Sequence, residues 1–366
     1  MSSAGGLRVA VLGAAGVVGG EILRALDLRG FPCSEVLALA TARSAGARLV
    51  FRGSELEVTE ASPQDFSGVD LAFFAATVEA SRALAPEAVA RGAVVIDKSS
   101  AFRLDPGVPL VVPEVNPDAV REHRGVLASP NCTTIQLVVA LEPLRQAAGL
   151  RRVVVSSYQS VSGSGREAVV ELEEQVRWLA RGEGPLRPGR VPPGMRRVYP
   201  RPIAFDVLPH IDSFDPSGYT GEEVKVREET RKIMGLPDLP ICATCVRVPV
   251  FVGHALSVWV ETEQPLGAAG ALEALARAPG VALVDDPARA VYPTPGDAEG
   301  RDEVLVGRVR DDPSCPNGLL LWIAADNLRK GAATNAVQIA ELLLGQGLPP
   351  GGCGGAGQPA AGGRAR

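Results

Sequence analysis

Ser129-Pro130-Asn131-Cys132-Thr133-Thr134 places a thiol between a short apolar run, Gly125 to Ala128, and a stretch with apolar residues at helical spacing, Thr133 to Ala148. A thiol at a helix N-terminus feels the positive end of the macrodipole, which predicts a lowered pKa and a nucleophilic thiolate. Position alone does not make a nucleophile, since a lone cysteine is more often a small buried hydrophobe. Three histidines could carry its proton. His254, just after Gly253 at the start of an apolar run, is the candidate, working as a neutral imidazole with an ordinary pKa of about 6.5, near the operating pH. His123 in Arg121-Glu122-His123-Arg124 reads as a surface residue, and His210, after Leu208-Pro209, as a structural hydrogen-bonder. Cys242 and Cys245 have the C-x-x-C spacing of metal or redox sites. They lack a second ligand pair, and residues three apart on a strand face opposite sides. Metal binding is rejected on that ground, and both are expected in the core.

Gly13-Ala14-Ala15-Gly16-Val17-Val18-Gly19 follows the first apolar run and opens a helical pattern. Glycines in that context let the backbone approach a pyrophosphate, and amides at the helix start face its charge. The spacing G-x-x-G-x-x-G is a variant of the dinucleotide fingerprint, and Gly13, Ala15, Gly16, Val17, Val18 and Gly19 are the expected cofactor contacts. NAD-specific sites usually end the second strand with an acid that takes the ribose hydroxyls. Here that strand ends Ala40-Thr41-Ala42-Arg43-Ser44. A guanidinium and two hydroxyls stand where a 2′-phosphate would lie, so Thr41, Arg43 and Ser44 favour NADP. A solvated surface Arg43 is the bland alternative.

The elements that must hold these groups follow from the pattern. Apolar runs at Leu7 to Gly13, Val36 to Thr41, Val69 to Ala76 and Ala93 to Ile96 alternate with helical stretches at Val17 to Arg29 and Glu79 to Arg91, the signature of βαβ units on a parallel sheet. Pro109 to Val112 and Gly125 to Ala128 add expected strands. From Arg152 the runs become longer and β-branched: Arg152 to Ser157, Ala243 to Phe251, Leu256 to Gln264, Glu303 to Arg310 and Leu319 to Ala324. They predict a mixed or antiparallel sheet. Helices are expected at Gly165 to Ala180, Glu222 to Met234, Ala268 to Ala278 and Arg329 to Leu344, and an extended loop at Arg181 to Pro202. The fold class is therefore α/β: a Rossmann-type doubly wound sheet over residues 1–131, a second α+β unit over 132–326, a helix over 327–345 returning to the first unit, and a disordered Gly/Pro/Ala tail over 346–366.

The chain has 366 residues with 46% hydrophobic and 22% charged, enough apolar material for two or three domains of about 150 residues each. A net charge of -5 argues against nucleic acid as a partner. The start lacks a basic, then apolar leader, and no apolar run reaches the roughly 18 residues of a membrane span, so no membrane partner is expected and the cytoplasm is the default location. Six scattered cysteines do not make a disulfide framework and are expected as reduced thiols.

Taken together, S-P-N-C-T-T, the glycine turn and several later strings resemble the aspartate-semialdehyde dehydrogenase family, over about residues 7 to 345 and in the family's order. The resemblance implies that Cys132 attacks the acyl carbon of L-aspartyl 4-phosphate, that phosphate leaves, and that NADPH reduces the thioester to the semialdehyde, on the route to lysine, methionine and threonine. It assigns acid/base work to His254, substrate orientation to Gln159, the substrate carboxylate to Arg247, its amine to Glu222, and its phosphate to Arg103 and Lys225, with Asn131 also at the substrate. Ser162, Gly163 and Asn327 would contact the cofactor. A homodimer formed through the second sheet is expected. Each residue also has an ordinary reading: Arg103 and Arg247 as interdomain ion pairs, Lys225 as a solvated helix residue, Glu222 as a macrodipole acid. Lys98 departs from the family pattern, which is associated with Asn there, and its ammonium could join the anion site or touch cofactor. The competing functions are a reductase of another acyl phosphate, such as N-acetylglutamyl phosphate, and a non-catalytic NADPH-binding redox sensor in which Cys132 responds to oxidation.

Overall fold

The computed structural model of the protein describes residues 6–182 and 186–346. The expected tail lies outside the described residues from position 347 onward. Two sheets form the frame. In the first, β1 (Leu7–Leu12), β2 (Cys33–Ala40), β3 (Arg48–Phe51), β4 (Ser54–Glu60), β5 (Leu71–Phe74), β6 (Val94–Asp97) and β7 (Val126–Ala128) lie in the order β3-β4-β2-β1-β5-β6-β7. All neighbours are parallel except β3 with β4. The strands β1 and β5 are almost wholly buried, which explains their unbroken apolar runs. The β3–β4 hairpin is absent from the sequence reading because Glu55, Glu57 and Glu60, three acids within seven residues, look like loop; it forms the sheet's exposed edge. The expected strand at Pro109 to Val112 is a correction in the other direction. It contributes one bridge, Leu110 to Ala128, because Pro109 and Pro113 deny it a ladder.

Helix α1 (Val17–Leu28) packs on this sheet, and α2 (Val78–Ala90) covers its other side. Gly13 holds φ +85°, and a Cβ there would sit 2.2 Å from the Ala75 carbonyl oxygen. A Cβ on Gly19 would lie 2.1 Å from the Gly13 carbonyl. The glycines are thus demanded by close packing of strand, turn and helix.

The second sheet runs β11-β12-β13-β10-β8-β9, from β8 (Arg152–Gln159), β9 (Ile241–Arg247), β10 (His254–Glu261), β11 (Val281–Leu283), β12 (Val304–Asp311) and β13 (Gly318–Ala325). It is mixed: β8 with β9 and β11 with β12 are parallel, the rest antiparallel. Val155, Val258 and Leu321 face a core made with α3 (Cys132–Ala148), α5 (Gly221–Met234) and α6 (Gly267–Ala276). On the opposite face Ser156, Tyr158, Ser257, Trp259, Leu320 and Trp322 stay half-buried, and Cys242 and Thr244 are exposed. That corrects the expectation for the cysteine pair, of which Cys245 alone is in the core. The expected strand Ala243 to Phe251 stops at Arg247, because Pro249 ends the ladder.

The expected loop from Arg181 to Pro202 contains two short turns, Pro188–Arg190 and Pro193–Met195, and is anchored on α4 (Arg166–Arg181). Buried Glu171 accepts the backbone N–H groups of Arg197 and Val198, while Gln175 accepts those of Ile203 and Ala204.

Chain closure comes from a π-helical turn, Arg329–Ala333, continuing into the last helix, Thr334–Gly345. That helix buries Val337, Ile339 and Ala340 with Ile22 and Leu26 of α1. Lys330, fully buried, pairs with Glu114 and donates to Asn335 and Gln338. Asn335 in turn donates to the Val111 carbonyl and Ser129 Oγ, tying the last helix to the segment before Cys132. Removing one partner of a buried ion pair strands the other charge. Glu114→Ala should therefore cost about 3 kcal/mol of stability in urea unfolding. A loss below about 1 kcal/mol would show that the amide partners of Lys330 suffice alone.

Candidate active site

The two sheets meet at a cavity of about 400 Å³ bordered by Val18 of the glycine turn, by Cys132, and by Gln159, Glu222, Arg247 and His254. Cys132 is the first residue of α3, whose N-cap is Asn131: its Oδ1 accepts the N–H groups of Thr133 at 2.8 Å and Thr134 at 3.3 Å. The sulfur lies 3.3 Å from Nε2 of His254, the first residue of β10. Three glycines make the room. A Cβ on Gly331 would fall 3.0 Å from Cys132 Cβ, one on Gly163 3.2 Å from His254 Cε1, and one on Gly253 (φ +87°) 2.6 Å from the Pro295 carbonyl.

The imidazole's tautomer follows from its partners. The backbone N–H of Ser160 points at His254 Nδ1, 3.1 Å away, and can only donate. A neutral ring therefore carries its hydrogen on Nε2, facing the sulfur. Ser160 Oγ also touches Nδ1 and donates to Asn327 Oδ1. Asn327 Oδ1 further accepts from Ser162 Oγ and the Gly253 N–H, so this residue pins both segments flanking His254.

Two sequence expectations are corrected on protonation. Burial, and next the charge of Glu222, push the Cys132 thiol above its ordinary value, with Lys98, Arg247 and Arg103 opposing them. The helix terminus does not leave it a low-pKa thiol. Burial, then Arg247, push His254 down to about 3, so the ring is neutral across physiological pH instead of titrating near 6.5.

Around this pair the anion-binding candidates divide. Arg103 is buried, pairs with Glu229 at 3.0 Å and donates to the Lys98 carbonyl. Lys225 pairs with Asp212 at 2.7 Å and lies 3.6 Å from Glu222. Arg247, also buried, donates from Nη1 to the Ser160 carbonyl at 2.7 Å, and its Nε has no partner. Glu222 Oε1 accepts from Gln159 Nε2 at 2.8 Å and Asn131 Nδ2 at 2.9 Å, and Gln159 Nε2 also donates to Thr133 Oγ1. Gln159 Oε1 is buried without a donor.

Thr133, Ser160, Asp212 and Glu229 are site residues that the sequence reading missed. Glu229 joins Arg103 to the backbone N–H of Asn131. Its signal was available: Glu222, Val226 and Glu229 stand at i, i+4 and i+7, one helix face on which two carboxylates flank a buried valine. Among the other histidines, His123 is half-buried and accepts the Gly125 N–H, while His210 stacks on Phe214 at 4.4 Å.

The glycine turn fits a dinucleotide. Gly16 caps α1 in extended conformation with no side chain over the helix start, and the first turn holds no acid, so its orphan N–H groups remain available to an anion. Arg43 is exposed and Ser44 half-buried, in the short turn Ala42–Ser44 after β2, with Thr41 exposed before it.

A doubly wound sheet with this turn, joined to a mixed sheet at a Cys–His contact, is the layout of the semialdehyde dehydrogenases. The family model for the semialdehyde dehydrogenase NAD binding domain matches residues 8–123, and the one for the dimerisation domain matches residues 141–330. The chain is 50% identical to the aspartate-semialdehyde dehydrogenase of Bacillus subtilis, covering 92% of this chain and 97% of that one. With the Aquifex aeolicus enzyme of that name the identity is 49%, over 94% and 99%. The crystal structure of aspartate semialdehyde dehydrogenase II from Vibrio cholerae superimposes with a TM-score of 0.87 at 46% identity, covering 93% and 98%. This chain belongs to the aspartate-semialdehyde dehydrogenase family.

Neutral His254 makes stability pH-dependent with a definite sign. The unfolded ring binds a proton near pH 6.5 and the folded ring resists one until about 3, so stability is full above 6.5 and declines as pH falls through that window. Between pH 7 and 5 this group alone should remove about 2 kcal/mol. His254→Gln should lose that component in urea titrations at the two pH values. Equal pH slopes for variant and parent would contradict the neutral assignment.

Proposed function

We propose that this chain is an NADP-dependent aspartate-semialdehyde dehydrogenase. It converts L-aspartyl 4-phosphate to L-aspartate 4-semialdehyde and inorganic phosphate. The observation that carries the reading is the 3.3 Å contact of Cys132 with His254 in a cavity that also holds an unpaired Arg247 and an amide-clamped Glu222. A relative from Vibrio cholerae, 45% identical, was crystallised as a complex with ASA.

The substrate's carboxylate would lie against the guanidinium of Arg247, which has Nε to give, and its ammonium against Glu222 and the unpartnered Gln159 Oε1. That second contact disfavours an acetylated amine. Arg103 and Lys225 would take the phosphoryl group, exchanging part of their hold on Glu229 and Asp212 for it. The Cys132 thiolate adds to the acyl carbon and expels phosphate, leaving a thioester. Bound NADPH supplies the hydride that reduces that thioester. As the carbon–sulfur bond breaks, Nε2–H of His254 faces the departing sulfur and hydrogen-bonds to it, so that the sulfur leaves as the thiolate that entered the reaction.

Gly13, Ala15, Gly16, Val17, Val18 and Gly19 would line the pyrophosphate, Thr41, Arg43 and Ser44 the 2′-phosphate, and Ser162, Gly163 and Asn327 the nicotinamide side. We read residues 1–131 as the cofactor unit and 132–326 as the catalytic and dimerising unit. The half-buried face of the second sheet, with Tyr158, Trp259 and Trp322, supports a homodimer formed across it. A cytoplasmic location suits the free thiols of Cys33, Cys132, Cys242, Cys245 and Cys315. Among the described residues no helix is long and apolar enough to cross a membrane.

In the reverse assay, semialdehyde, phosphate and NADP should yield reduced cofactor, and a protein that yields none would end this reading. Cys132→Ala should abolish turnover with NADP affinity preserved in a fluorescence titration; surviving turnover would exclude the sulfur as nucleophile. Arg43→Ala should raise the KM for NADP by about tenfold or more, the worth of a charged hydrogen bond, without changing that for NAD. Equal changes for both cofactors would remove Arg43 from the 2′-phosphate.

A further inference from the structure

The Cys–His contact leaves a question of charge. With hydrogen already on Nε2 and Nδ1 taken by the Ser160 N–H, the neutral imidazole has no lone pair to offer the thiol. Burial and Glu222 both favour the protonated sulfur. A reactive thiolate in this site must therefore be held by positive charge.

Four cations border the cavity: Lys98, Arg103, Lys225 and Arg247. Among the described residues, Arg103 and Lys225 are ion-paired with carboxylates, whereas Lys98 and Arg247 are not. Arg247 is the group proposed for the substrate's carboxylate. Lys98 remains. It follows the last residue of β6, and its Nζ donates to the carbonyl of Pro130, two residues before the nucleophile, which fixes the ammonium at the start of α3. Arg103 in turn donates to the Lys98 carbonyl, so the backbone there is held as well.

We propose that Lys98 is the cation that sustains the Cys132 thiolate, a role for this chain's own residue that rests on Cys132 being the nucleophile. The charged groups acting on the sulfur besides Lys98 are Glu222 of α5, Arg247 of β9 and Arg103, with neutral His254 of β10 in contact. Those acting on Lys98 are Arg103, Glu229, Asp97 and the sulfur itself. Burial and Arg103 bring its ammonium down to about 8, so it is charged at neutral pH. Without Lys98 the groups acting on the sulfur have lost one positive charge and kept Glu222.

The test is alkylation of the substrate-free protein by iodoacetamide from pH 6 to 10, followed by mass spectrometry of the peptide containing Cys132, because exposed Cys242 also reacts. Lys98→Met keeps the stem and removes the charge. It should move the midpoint for Cys132 up by about one pH unit and slow its alkylation at pH 7 about tenfold. Lys98→Arg, which stays charged across this range, should hold the midpoint at or below that of the parent, and Lys98→Gln provides a second neutral variant if the Met protein fails to fold. Unfolding midpoint and NADP affinity serve as structural controls. Superimposable profiles for parent and neutral variants would overturn the proposal, as would an unchanged profile with a raised KM for phosphate in the reverse assay, which would make Lys98 a phosphate ligand. Since alkylation needs no substrate, a shifted profile in a protein without semialdehyde activity would refute the proposed reaction and leave the role of Lys98 standing.

Discussion

A sulfur and an imidazole nitrogen 3.3 Å apart, from residues separated by 122 positions, set the terms for the surrounding structure. Both groups are small, and their approach depends on what is missing around them. Gly163, Gly253 and Gly331 come from three different segments, and at each a methyl group would meet a neighbour at 3.2 Å or less. The ring cannot swing away, because Ser160 holds Nδ1 and Asn327 holds Ser160. A contact fixed in this way loses little entropy when substrate arrives, which is where preorganised sites gain their rate.

Dryness is the counterpart of that fit. The same burial that keeps water from the sulfur pushes the thiol up and the imidazole down, so neither group is ionised by default. Buried acids are tolerated here because they serve as acceptors. Glu222 is clamped by two side-chain amides, and Glu229 bridges the Arg103 guanidinium and the Asn131 backbone N–H. The second of these joins Arg103 directly to the N-cap of α3, so the arginine end and the sulfur end of the cavity share one network.

Much of this was legible in order and little of it in space. Alternating apolar runs and the glycine turn predicted the parallel sheet, since buried central strands leave an unmistakable run; the acidic β3–β4 edge left none. Cys132 and His254 could be picked out by type and neighbourhood, Gln159 and Arg247 only by resemblance, and the structure brings all four to one cavity. Protonation could not be read in the same way. The helix terminus at Cys132 is visible in a string of letters, whereas the walls that desolvate it come from α5, β9, β10 and the final π turn, contributed by distant parts of the chain. Asn327 shows the same limit: placed at the cofactor by resemblance, it is also a pin between the segments flanking His254.

The π turn sets two neighbouring residues to different tasks. A π turn widens the helix by one residue, a device often found at functional sites. In this protein the widening lies at Arg329–Ala333, where Gly331 abuts Cys132 while Lys330 points the opposite way into a buried pair with Glu114. Beyond it the last helix is fixed to α1 by apolar packing and by the two-point contact of Arg29 with Glu341. This segment therefore bears on the first helix, on the loop before Cys132 and on Cys132 itself. One short segment thus contacts the helix that follows the glycine turn and the wall of the cavity at the sulfur.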